Sequence, residues 1–211
     1  MRKNIAFFGC SFTEGPTDDF DNYVVWLSKL NPQHNFYNFS AAGTSIMYHT
    51  YLLEQITKMD FDVKVFQFTS SGRFTTWTPH NIKEYIIKKY DNYFCLNKNY
   101  VQYIDRLNIG SVSEKKYFTY KVNFGKEYYK RMSDSCMDLD HRVYIDYIKP
   151  KVNFCFHHRK SRDVGIPSVY NSLDISQWNK FVIDDGDHFG LEGSLWQAKW
   201  LDKHLKERNI L

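Results

Sequence analysis

A serine close behind a glycine near one end of the chain, and an acid–histidine pair near the other, are the residues best suited to do chemistry together. Gly9-Cys10-Ser11-Phe12-Thr13-Glu14-Gly15 follows the apolar run Ile5-Ala6-Phe7-Phe8. Gly9 permits a tight strand-to-helix turn, which presents the Ser11 hydroxyl at the end of a strand. Asp185-Gly186-Asp187-His188 follows Phe181-Val182-Ile183 and precedes a long amphipathic segment. Acyl transfer needs a nucleophile, a base to take its proton, a group that orients the base, and donors for the oxyanion. Ser11 is the candidate nucleophile. His188 is the candidate base, since imidazoles titrate near neutrality and can return the proton to the leaving group. Asp185 is the candidate orienting group; Asp184 and Asp187 compete for that role, and the DxxH spacing favours Asp185. Taken singly, a serine after a glycine more often caps a turn, and an acidic run caps turns or binds cations. The combination is what points to catalysis.

Short apolar runs alternate with helical patterns along the chain, the signature of βα units on a parallel sheet. The runs Asn4 to Phe8, Asn35 to Phe39, Asp62 to Phe68 and Val152 to Phe156 predict four strands, with Phe181 to Ile183 as a further apolar run leading into the DxxH loop. Helices are predicted over Phe20 to Leu30, ended by Asn31-Pro32, and over Ser45 to Met59, with Met47, Leu52, Ile56 and Met59 available for its buried face. The last helix, Leu191 to Lys206, carries Leu195, Trp196, Trp200, Leu201 and Leu205 on one stripe. The expected fold is a single α/β domain over residues 1–211: a three-layer α/β/α sandwich with a mostly parallel central sheet. Residues 81–125, rich in Tyr and Lys, read as a helical insertion in which Gly110-Ser111-Val112-Ser113 is a turn. Sheets of this kind place ligands outside the carboxyl ends of their strands, where every motif above is expected to lie.

A serine block near the N-terminus and a DxxH near the C-terminus resemble the SGNH (GDSL-type) hydrolase family, whose sandwich is flavodoxin-like. That resemblance implies an oxyanion hole in which the Ser11 N–H is one donor. Asn38-Phe39-Ser40-Ala41-Ala42-Gly43-Thr44-Ser45 resembles the second block, so the Gly43 N–H is implied as another. The third block usually reads Gly-x-Asn-Asp; here the chain runs Phe68-Thr69-Ser70-Ser71-Gly72-Arg73, and Ser70 falls at the asparagine position with a shorter reach. Cys10 replaces the aspartate of the family's first block and reads as a buried, inert thiol. The implied activity is a serine hydrolase cleaving a small ester through a Ser11–His188–Asp185 triad, in the manner of a carbohydrate O-acetylesterase, without a cofactor.

Composition narrows the field. The chain has 211 residues, 43% of them apolar and 18% aromatic, which is ample for one core. No apolar run approaches the roughly 20 residues of a membrane helix, and the first residues lack a signal-peptide pattern, so a cytoplasmic protein with no membrane association is expected. Four widely spaced cysteines without a CxxC fit reduced thiols better than disulfides or a zinc site. A formal charge of +4 is too small to imply nucleic acid. The run His157-His158-Arg159-Lys160-Ser161-Arg162 and Arg73 each follow a predicted strand, so Arg73, His157 and His158 are candidate substrate-binding residues on a basic rim suited to an anionic, small-molecule or glycan ester. No metal site is expected from His157, His158 and His188, because adjacent histidines point apart on an extended chain. A different class of function also fits: a binding or virion-associated protein that kept the fold and lost the chemistry, with the altered third block as its symptom.

Overall fold

The computed structural model describes residues 1–14, 22–40, 46–56, 60–68, 73–76, 95–97, 100–102, 110–113, 134–161, 165–183 and 188–211. The elements in chain order are β1 (Asn4–Phe8), α1 (Ser11–Glu14), α2 (Tyr23–Leu30), β2 (Asn35–Asn38), α3 (Ile46–Ile56), β3 (Val63–Phe68), β4 (Arg73–Thr76), β5 (Cys95–Asn97), β6 (Tyr100–Gln102), β7 (Gly110–Ser113), α4 (Asp134–Ile148), β8 (Phe154–His157), α5 (Ile175–Phe181) and α6 (Leu191–Glu207). Six strands form one sheet in the order β5-β6-β2-β1-β3-β8, and every pairing but β5–β6 is parallel.

Strand periodicity divides the core. Ile5, Phe7, Val63, Val65, Phe154 and Phe156 point to one face, where they meet Tyr23, Val24 and Leu27 of α2 and Ala198, Leu201 and Leu205 of α6. Ala6, Phe8, Phe66 and Phe68 point to the other and meet Ile46, Leu52 and Leu53 of α3 and Ile145 and Ile148 of α4. Both faces are covered, so the central strands carry apolar side chains on both faces and the expected three-layer α/β/α architecture is present. Phe7, Phe8, Phe36, Phe66 and Phe156 are fully buried, and truncating one to alanine typically costs about 3–5 kcal/mol. Helix α2 begins where Asn22 Oδ1 accepts the N–H groups of Val24 and Val25 at 2.9 and 3.1 Å. Among the described residues, no helix is long and apolar enough to cross a membrane.

The apolar run Phe181–Ile183 ends α5 at Phe181, and Val182 makes an isolated antiparallel bridge with Phe189. Two expectations are corrected. Within residues 81–125 the described segments are strands, not helix; Tyr100–Gln102 extends the sheet beside β2, and Gly110–Ser113 pairs antiparallel with β4 instead of turning. The open edge of β2 offers unpaired N–H and C=O groups that an extended segment can satisfy and a helix cannot. The buried stripe of α6 is rotated toward Ser194, Ala198, Leu201 and Leu205, with Trp196 and Trp200 at its margins. Gly193 explains that rotation. A Cβ there would lie 2.8 Å from Phe181 Cβ and Phe189 Cγ, so the small residues of α6 face the tightest contact and the tryptophans are displaced sideways. Of the side chains expected inward on α3, Leu52 is fully buried; those of Met47, Ile56 and Met59 lie outside the described set.

His34, buried beside β2, accepts the Lys3 N–H at Nδ1 over 3.2 Å. Burial, then the charge of Lys3, lower its pKa below the ordinary 6.5; burial likewise lowers His204. A histidine that titrates lower in the folded than in the unfolded chain favours the fold fully above about pH 6.5, and that contribution is lost as the pH falls below it. The urea midpoint should therefore drop between pH 7.5 and pH 5.5, and His34→Asn, which keeps an acceptor without the titration, should flatten part of the drop. An unchanged slope in that variant would assign the loss to other groups.

Candidate active site

β1 ends at Phe8, and the chain turns through Gly9 and Cys10 into α1. A Cβ on Gly9 would sit 2.2 Å from Thr13 Oγ1 and 2.8 Å from Gln67 Oε1, so only glycine lets the first turn of α1 fold back against β3. The Cys10 carbonyl accepts the N–H groups of Thr13 and Glu14 at 2.9 and 3.0 Å, which makes Ser11 the first residue of the turn. The far side of the turn is tied down by amides. Asn38 Nδ2, at the carboxyl end of β2, donates to Thr13 O at 3.0 Å, and Asn22 Nδ2 donates to Glu14 O at 2.7 Å.

His188 arrives from the other end of the chain. Ile183 N–H donates to His188 O at 2.8 Å and Gly190 N–H to Phe181 O at 2.9 Å, pairing residues 181–183 antiparallel with 188–190. Phe189, almost fully buried, packs on Trp178, Phe181 and His158 and anchors this pairing to the core. The outcome is that His188 Nε2 lies 2.7 Å from Ser11 Oγ, across 177 positions of sequence. This is within the reach a nucleophile–base pair needs. With the serine hydroxyl donating, Nε2 is unprotonated and the ring proton resides on Nδ1.

Phe12, next to the serine, links the two sides. Its ring stacks on His158 with centroids 4.0 Å apart and an interplanar angle of 12°, and lies 4.8 Å from the His188 ring. The expected rim is corrected here, since His158 is only 1% exposed and His157 9%. β8 continues into His157, whose N–H and carbonyl bond to Pro167 and Val169, and the strand register carries both imidazoles inward. The exposed member of that run near the pair is Arg159, its guanidinium 5.4 Å from the Phe12 ring centre. Arg73 opens β4. Asp185, Gly43 and Ser70 lie outside the described residues. Cys10 is fully buried, as expected, and burial pushes the Cys155 thiol up to about 11, which suits an unreactive cysteine. The sequence reading missed Gln67, Asn38 and the Phe12–His158 stack. The signal available was a glutamine inside the otherwise apolar end of Val63-Lys64-Val65-Phe66-Gln67-Phe68.

No family model matches the sequence, and no curated protein does. Solved structures similar to this chain include a catalytic mutant of Axe2, an acetylxylan esterase from Geobacillus stearothermophilus, at 12% identity and a TM-score of 0.47, over 98% of this chain and 94% of that one.

The contact distances at Gly9 give a direct check. Gly9→Ala should lower stability by about 1–3 kcal/mol, the usual cost of overpacking, measured by urea unfolding. A loss near zero would mean that the α1 turn relaxes freely.

Proposed function

We propose that the protein is a serine hydrolase of the SGNH type that cleaves a small ester, in the manner of a carbohydrate O-acetylesterase. The observation that carries this reading is the 2.7 Å contact between Ser11 Oγ and His188 Nε2. A serine that merely caps its own turn has no use for an imidazole delivered from the opposite end of the chain. In the proposed cycle Ser11 Oγ attacks the acyl carbon while His188 Nε2 takes its proton. The tetrahedral oxyanion collapses to acyl-Ser11, and the alcohol leaves with the proton from His188. Water then attacks the acyl group with His188 again as base, and the carboxylic acid departs as Ser11 is restored.

Asp185 is assigned to accept the Nδ1 proton and hold the ring. The oxyanion donors are assigned as the N–H groups of Ser11 and Gly43 with the Ser70 hydroxyl. The Ser11 assignment is supported by the turn itself, because a helix leaves its first N–H groups without internal partners. A short acyl group on a polar alcohol suits the reading, and an anionic substituent on that alcohol would meet Arg159 rather than the buried His157 and His158; Arg73 is assigned to the same role.

Ser11→Ala and His188→Ala should each abolish both ester hydrolysis and, for Ser11→Ala, labelling by a fluorophosphonate probe, while circular dichroism stays unchanged. Groups that act as a unit lose most of their effect when either is removed. Asp185→Asn should cost less than His188→Ala. A well-folded wild-type protein that takes no label and hydrolyses none of a panel of acetylated sugars and p-nitrophenyl esters would favour a binding protein.

The third block yields a separate expectation. Loss of one oxyanion donor typically costs on the order of 10²–10³ in kcat. If the Ser70 hydroxyl substitutes imperfectly for the amide, Ser70→Asn should raise kcat on acetyl esters; if it is already well placed, Ser70→Ala should lower kcat with little change in KM. No effect from either variant would remove Ser70 from the oxyanion hole.

A further inference from the structure

Gln67 is 1% exposed, at the carboxyl end of β3, in a strand whose neighbouring side chains are apolar. Burying a carboxamide is costly unless its polar atoms are bonded. Here they are spent on the nucleophile turn. Oε1 receives the Cys10 N–H at 3.2 Å, the Thr13 hydroxyl at 3.0 Å and the Cys10 thiol at 3.5 Å, while Nε2 donates to Phe68 O. The orientation of the amide follows from its partners, because the Cys10 N–H can only donate and must face an oxygen. Thr13, having given its proton to Gln67, receives one from Tyr23 OH at 2.9 Å. A chain of donors thus runs from α2 through α1 into a single oxygen of β3.

We infer that the Gln67 carboxamide oxygen is the positioning element of the proposed hydrolase: it sets the placement of Ser11 without touching the substrate. The inference rests on the serine hydrolase reading. Cys10 immediately precedes Ser11 and Thr13 lies two residues beyond, so the acceptor grips the turn on both sides of the nucleophile. The peptide joining Cys10 to Ser11 carries the Ser11 N–H, the assigned oxyanion donor, and its plane follows the residue that Gln67 holds. Gly9 completes the fit, since its missing side chain is what admits Gln67 Oε1 beside Thr13. A small misplacement of reacting groups is expensive in rate even when binding is unaffected.

The experiment compares wild type, Gln67→Met and Gln67→Glu on a short acetyl ester whose hydrolysis depends on Ser11. Methionine keeps the volume and removes the acceptor; glutamate keeps the acceptor and, as the protonated acid, also keeps a donor for Phe68 O. Gln67→Met should lose about 10–100-fold in kcat, as expected for a misaligned nucleophile, with KM within about twofold. Gln67→Glu should recover most of that loss. Folding is read from circular dichroism and melting, and assays are run well below the melting temperature of each variant. Where Gln67→Met does not fold, Thr13→Val carries the test by removing one donor to the same oxygen, and kcat is again expected to fall with KM held. A folded Gln67→Met or, in its place, Thr13→Val with wild-type kcat overturns the inference while leaving the hydrolase reading intact. A loss expressed in KM alone, or one that glutamate does not recover, also overturns it. Wild-type protein with no Ser11-dependent turnover overturns the hydrolase reading and this inference with it.

Discussion

Fixing the dihedrals of a single helical turn costs more free energy than its one or two internal hydrogen bonds return, which is why isolated short helices do not persist in water. Ser11–Glu14 is such a turn, so its orientation is supplied from outside. Parallel pairing sets β2, β1 and β3 side by side with their carboxyl ends at one edge. Asn38 and Gln67 close the two flanking strands, and each sends an amide across β1 to the turn that follows it. Asn22 does the same from the cap of α2. The sheet register thereby becomes the register of the serine: a slip of one residue in β3 would turn Gln67 to the opposite face.

The histidine is secured by a different kind of force. Among the described residues its main anchor is Phe189, wedged among Trp178, Phe181 and His158, with α6 brought close by Gly193. Apolar packing fixes position through shape and volume and hardly at all through angle. Orientation of the imidazole therefore depends on polar partners, and Ser11 Oγ at Nε2 is one of them. The stack of Phe12 on His158 ties the hydrogen-bonded half of the site to the packed half, since His158 touches Phe12 on α1 and Phe189 beside His188.

What could be read from sequence divides along the range of the interactions concerned. β1, β3 and β8 announced themselves as apolar runs because both of their faces are buried, and α2 and α6 through helical spacing. Ser11 and His188 were found from local motifs, and the fold brings them together. The pairing of Gly110–Ser113 with β4 depends on a partner far away in sequence, and a Gly-Ser segment carries a turn signal on its own. His157 and His158 looked solvated beside Arg159 and Lys160; only the continuation of β8 and its bonds to 167 and 169 turn them inward. Asp185 rests on the DxxH spacing, and Gly43 and Ser70 rest on the family resemblance alone.

The same short-range logic explains why the nucleophile turn is both constrained and chemically open. A helix that begins at Ser11 uses the Cys10 carbonyl for Thr13 and Glu14, and the N–H groups ahead of Thr13 are those that no residue of the turn can satisfy. In a long helix such groups are a minor cost at one end. In α1 they make up half of the element's own donors. A fold that retains so short a helix, and supports it with three buried amides rather than extending it, keeps donors that the turn itself cannot satisfy next to a hydroxyl already aligned with an imidazole. Lengthening α1 or packing it with apolar residues would secure the turn more simply, but would not concentrate its polar anchors on the backbone atoms that set the direction of those donors.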